Sequence, residues 1–189
     1  MRRLGPVLAL VATLAASGCG DLGTGEQTER TDEPQFLSKQ DVAEYAPDSP
    51  ARTVVAWWRA LQFESPDVAQ RHYAAPVGMT RLKLARQLNY GPGLLNLEAR
   101  PDVSDVIRFG DRATVFVLLT QIQRHPNGRE ERQRVARSFN LVLEDGEWKL
   151  SDNRYLNRIT RVAKALVDAE RRKQEREGNR QGPERERGR

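Results

Sequence analysis

The chain has 189 residues, with 31 Lys+Arg against 26 Asp+Glu, one cysteine and an apolar content of 38%. That length bounds the chain to about one domain, and a single thiol excludes an internal disulfide framework or a cysteine-rich metal site. The basic excess sits at the ends: residues 19–160 hold 19 basic and 20 acidic side chains, which argues against a nucleic-acid-binding core.

The first element is an export signal. Met1-Arg2-Arg3 precede an uncharged run over residues 4–16 rich in Leu, Val and Ala, a positive n-region ahead of an apolar h-region. The run falls short of the roughly 20 apolar residues that span a bilayer. Ala16-Ser17-Gly18 then lead into Cys19, the only cysteine. Ala-Ser-Gly-Cys closing such a signal resembles the lipobox of bacterial lipoproteins, with Ala16 where that family usually has Leu. The resemblance implies that the Cys19 thiol receives a diacylglyceryl group and that residues 1–18 are cut away. Two acyl chains, at about 0.8 kcal/mol per buried CH2, hold a protein stably on a membrane. The expected location is therefore the cell membrane, lipid-anchored on its extracytoplasmic face. An ordinary secreted protein with an incidental cysteine is the plainer alternative.

Residues 19–50 are rich in Gly, Thr, Glu, Asp, Ser and Pro and read as a flexible tether. Within them, Phe36-Leu37 and Val42 to Tyr45 are the segment able to dock as a short helix. Three helices are expected next. Ser49-Pro50 open the first, with Val54, Trp57, Trp58 and Leu61 at helical spacing. Ser65-Pro66 stop it and start the second, which places Val68 under His72 and Ala69 under Tyr73 and ends at Pro76. The third carries Leu82, Leu84, Ala85 and Leu88 and closes at the turn Gly91-Pro92-Gly93.

The period then changes to that of strands. A short strand turns at Gly110-Asp111 into a long one, apolar on both faces over residues 113–123. His125-Pro126-Asn127-Gly128 supply a hairpin turn. Residues 129–144 alternate, with Val135, Arg137, Phe139, Leu141 and Leu143 on one face and Ala136, Ser138, Asn140 and Val142 on the other. Asp145-Gly146 turn the chain into a last strand carrying Trp148, Leu150 and Asp152. Ile159, Val162, Ala163, Leu166 and Val167 resume helical spacing. Beyond Arg171 only charged and polar positions follow, so the end is expected to be solvated or frayed. The fold class is α+β: three N-terminal helices packed on a curved antiparallel sheet of about four strands, closing like a cone-shaped barrel, plus a charged C-terminal helix or tail. The expected divisions are 1–18 signal, 19–50 tether, 51–160 domain and 161–189 tail.

"TVVAWWRALQFESPDVAQRHYA", "FGDRATVFV" and "LVLEDGEWKLSDNRYL" together resemble the nuclear transport factor 2-like superfamily over residues 50–158. The acidic-Gly-x-Trp-x-Leu-x-Asp ending is the most recognisable part. The resemblance implies a cone between helices and sheet. Its enzymes, ketosteroid isomerases and SnoaL-like polyketide cyclases, place a carboxylate and hydrogen-bond donors there. Its non-catalytic members include the domain preceding the catalytic part of some penicillin-binding proteins.

The pocket candidates are Trp57, Trp58, His72, Tyr73, Tyr90, Arg137 and Asn140, with Ser138 and Asp152 near them. A lone helical His is more often surface or satisfied core than base, and Tyr73 and Tyr90 are more often core aromatics than donors. Arg137 interrupts an apolar strand face, where it snorkels at an edge, pairs with an acid or meets a ligand carboxylate. Trp57 and Trp58 point about 100° apart; both are read as core aromatics, the alternative being one on the sheet and the other at the pocket mouth, the tether or a partner. No catalytic residue, metal or cofactor is expected, for the chain has no G-x-S-x-G, Walker loop or G-x-G-x-x-G. The expected function is non-enzymatic binding of a partner protein or a small apolar ligand in the cone. Expected partners are the membrane through the anchor, an envelope protein, or a second copy through the sheet, and no nucleic acid. The alternatives are an isomerase- or cyclase-like enzyme, which requires a buried carboxylate of raised pKa, and a structural role in the envelope.

Overall fold

The computed structural model describes residues 36–95, 97–124 and 130–181. The expected signal, Cys19, the first part of the expected tether, the expected turn at residues 125–128 and the last eight residues lie outside them.

The described residues begin within the stretch whose composition reads as a tether. Ser38 caps helix α1 (Lys39–Ala43) in a reciprocal box with Asp41. Leu37, just ahead of it, is 2% exposed, and its N–H donates to Gln62 Oε1 at 2.9 Å. Arg100 pairs with Asp41 at 2.9 Å and ties the helix down from the other side. Helix α2 (Pro50–Gln62) starts where Ser49 Oγ accepts the Arg52 N–H and Pro50 needs no donor. It contacts α1, the next helix and three strands, which is how both Trp57 and Trp58 are buried despite their divergence.

Helix α3 (Pro66–Gln70) is shorter than its apolar spacing suggests. The chain leaves the helix before His72, because the last strand offers its backbone other partners. Leu150 N–H donates to His72 O at 2.7 Å and Ala74 N–H to Leu150 O at 2.9 Å, around a parallel bridge at Tyr73. A single 3-10 turn, Ala75–Val77, then carries Pro76. His72 and Tyr73 thus cover a strand edge and do not end a helix. Helix α4 (Arg81–Leu88) is capped by Thr80. Gly91-Pro92-Gly93, expected as a turn, opens the one-turn helix α5 (Gly91–Leu94), with Gly91 at φ 75°.

Strands β1 (Asp102–Phe109), β2 (Arg112–Arg124), β3 (Glu130–Glu144) and β4 (Glu147–Leu150) form an antiparallel sheet in that order. Asp145 and Gly146, at φ 52° and 79°, give the left-handed pair that a two-residue turn between twisted strands requires. The sheet is open and not a closed barrel: four strands, one of them four residues long, are too few to close. Ala113, Val115, Val117, Leu119, Phe139, Leu141, Trp148 and Leu150 are buried under the helices. On the opposite face Phe116 and Leu118 are half-buried, and Ile107 and Phe109 are exposed.

Asp152 lies past β4, in the link to helix α6 (Arg154–Gln181), and not on the strand. Helix α6 buries Leu156, Ile159 and Ala163, and none of residues 164–178 is buried. It continues to Gln181, well past Arg171, where fraying was expected. Pairs one turn apart, Lys164–Asp168 at 2.8 Å and Arg171–Glu175 at 3.7 Å, support it, in a stretch of good helix formers.

Candidate functional site

The space between helices and sheet is occupied by aromatic rings. Trp57 meets Phe139 at 5.4 Å and Tyr73 at 6.0 Å, edge to face. Trp58 meets Tyr155 at 5.3 Å, and Tyr155 meets Phe139 at 5.5 Å. What remains among Trp57, Ser138, Phe139, Asn140, Leu150, Asp152, Asn153 and Tyr155 is a cavity of about 10 Å³, room for roughly one water. Trp57 and Trp58 are 1% and 0% exposed, so neither stands at a pocket mouth. Trp58 Nε1 donates to Ala99 O at 3.0 Å. Trp57 Nε1 and the Tyr155 hydroxyl are buried with no hydrogen-bond partner among the described residues. Tyr73 OH donates to Asn153 Oδ1 at 2.6 Å. Burial pushes the pKa of both tyrosines up, so neither ionises near neutral pH.

Of the other candidates, Ser138, Asn140 and Asp152 border this cavity, while His72, Tyr90 and Arg137 lie away from it. His72 is held to a pKa of about 4 by burial first and then by the Lys149 charge. Such a group is too weakly basic to serve as a general base near neutrality. Tyr90 is the cap residue of α5 and packs, half-buried, against the core. Arg137 faces the helices, half-buried, donates to Ala136 O at 2.9 Å, and has no carboxylate partner among the described residues. Its charge opposes the rise that burial gives Tyr155. Ser138 is exposed. Asn140 accepts from Thr114 Oγ1 at 3.1 Å and donates to Asp152 Oδ2 at 3.4 Å.

Asp152 is the one candidate carboxylate next to the cavity. Burial alone would raise its pKa, but bonds from the Arg154 backbone and guanidinium, and from Asn140, hold it below the usual carboxylate range. Its oxygens accept the Arg154 N–H at 2.9 Å and the guanidinium at 2.9 and 2.7 Å. A base of the isomerase kind needs the opposite setting.

A second feature has no precursor in the sequence patterns. Between α4 and the start of α6 runs an open groove of about 670 Å³, lined by Val77 and Met79, by the amides Gln87, Asn153 and Asn157, and by charged residues. The amides are locked together. Asn153 Nδ2 donates to Gln87 Oε1 and Asn157 Oδ1, both at 3.2 Å, and Gln87 Nε2 donates to Asn157 Oδ1 at 2.7 Å. Only the Asn153/Asn157 spacing of four at a helix start hints at this in the sequence; Gln87 is brought in by the fold. A further concavity is lined by α6 residues alone and is the surface of one helix.

No protein-family model and no curated protein matches the chain. Among solved structures it is similar to an NTF-2 like protein of unknown function from Shewanella oneidensis, at 11% identity and a TM-score of 0.39, covering 54% of this chain and 91% of that one. It is also similar to a protein of unknown function from Mycobacterium tuberculosis, at 12% identity and a TM-score of 0.37, covering 54% of this chain. The chain spans 65% of the length of that second protein. Likeness of this size says nothing of activity, and the α+β architecture rests on the elements described above.

Proposed function

We propose that this chain is a lipid-anchored extracytoplasmic lipoprotein whose nuclear transport factor 2-like domain works by binding at its surface and not by catalysis. The observation that carries the binding reading is the filled interior. Trp57, Trp58, Tyr73, Phe139 and Tyr155 leave a space of about 10 Å³ where an enzyme of this superfamily would hold its substrate. The small apolar ligand expected in the cone has no room there, so a surface partner takes precedence. Asp152, committed to Arg154, supports the same choice.

Anchoring is supported by Ala16-Ser17-Gly18-Cys19 behind its apolar run. The surface offered to a partner, an envelope protein or a second copy, is the outer sheet face. There Phe109 is 87% and Ile107 56% exposed, beside half-buried Phe116 and Leu118, an apolar patch of the kind that marks interaction sites.

Cell fractionation together with site-specific crosslinking tests both halves. The intact chain is expected in the membrane fraction and Cys19→Ala outside it. A photoreactive group in place of Phe109 is expected to give one discrete adduct in place. Unchanged fractionation of Cys19→Ala would remove the anchor, and an absence of adducts would remove the sheet-face interface.

A further inference from the structure

The groove between α4 and α6 adjoins the filled interior, sharing Asp152 and Asn153 with its small cavity, and its chemistry is one-sided. Lys83, Arg86 and Arg154 line it against a single carboxylate, Asp152. That carboxylate is already held by the Arg154 guanidinium through two of its nitrogens. Lys83 Nζ donates to Gly78 O at 2.8 Å, a neutral partner that leaves its charge uncompensated. Arg86 is exposed and has no hydrogen-bond or ion-pair partner among the described residues. Two cations therefore border a concavity whose one lining carboxylate is taken.

The remaining lining is preorganised. Gln87, Asn153 and Asn157 fix one another, and Asn153 is fixed again by Tyr73. A ligand meeting these amides does not have to order them, which removes part of the entropic cost of binding. Val77 and Met79 add a small apolar area. The volume, about 670 Å³, lies within the range of small-molecule sites. Uncompensated cations select an anion. Fixed amides select hydroxyls, and an apolar patch beside them accepts the C–H face of a sugar ring.

We infer that this groove binds a small anionic sugar, one that carries a carboxylate or a phosphate. Arg86, with its planar set of five donors, takes the anionic group, and Lys83 adds a point charge. The Gln87 and Asn157 amides take ring hydroxyls. The inference rests on the reading of the chain as a binding module, and not on its anchoring.

The test is an NMR titration of the full ¹⁵N-labelled chain, following the side-chain amide signals of Gln87, Asn153 and Asn157. The probes are glucuronate, glucose 6-phosphate, glucose and inorganic phosphate. Saturable shifts of these signals with glucuronate or glucose 6-phosphate are expected, with glucose far weaker, and the tighter of the two identifies the anion. Arg86→Gln is expected to weaken binding about tenfold or more, as loss of a charge-assisted contact does, while leaving the core signals in place. Shifts that do not saturate, shifts equal with glucose, or indifference to Arg86→Gln would each overturn the inference. Loss of the groove's response alongside an intact Phe109 adduct would refute the groove and leave the surface-binding reading standing.

Discussion

Gln62 shows how much one buried amide can hold. Its Oε1 accepts the Leu37 N–H at 2.9 Å, and its Nε2 donates to Leu97 O at 2.8 Å and reaches Ala99 O at 3.4 Å. One side chain at the end of α2 thus joins the arm before α1 to the segment before β1. Gln62→Ala leaves a buried N–H and a buried C=O unpaired, at a cost of about 2–4 kcal/mol. Urea unfolding should show the lower midpoint at an unchanged slope. His72 gives a pH signature. Its folded pKa of about 4 lies below the ordinary value of 6.5, so the unfolded chain binds the extra proton between those values. Its contribution is complete above pH 6.5 and is lost as pH falls toward 4, at most about 3 kcal/mol. Urea midpoints measured across that window should fall less steeply for His72→Gln than for the parent chain. Equal slopes would mean that burial does not hold this imidazole neutral.

At the scale of elements, the long strands were legible because alternation is a local signal. Val135, Phe139 and Leu141 face inward in β3 as period two requires, and Asp145-Gly146 announce their turn. Helix α3 was over-extended because the Val68–His72 spacing fits a helix, while the competing bonds to Leu150 come from a strand about 80 residues later. Helix α1 hid in a tether-like composition, since it is held by one buried leucine, the Gln62 amide and Arg100. Helix α6 joins two regimes: its first turns are core and the rest is solvated. Removing residues 172–189 should move the melting temperature by no more than about 1–2 °C, because exposed side chains contribute little. Leu156→Ala, by contrast, should cost about 2–5 kcal/mol. Thermal melts of the two variants side by side make the comparison. A large loss on truncation would show that the overhanging half of α6 packs on something.

At the scale of the molecule, the expected cone and the observed core differ in one physical respect. The sequence placed aromatic residues at Trp57, Trp58, Tyr73 and Phe139 but could not say whether they line a space or fill it, because that depends on how these rings and that of Tyr155, from four separate segments, meet. They fill it. The groove beside α4 was invisible for the same reason, its lining being drawn from the segment before α4, α4 itself, the link after β4 and α6. On the function proposed above, a domain with a filled interior acts through what it presents outside and where it is held. The most direct test of that account is the intact mass of the native protein extracted from membranes, beside that of a Cys19→Ala variant. The account predicts a chain beginning at Cys19 with a diacylglyceryl adduct, and a variant without it. An unmodified native chain, free in the medium, would contradict it.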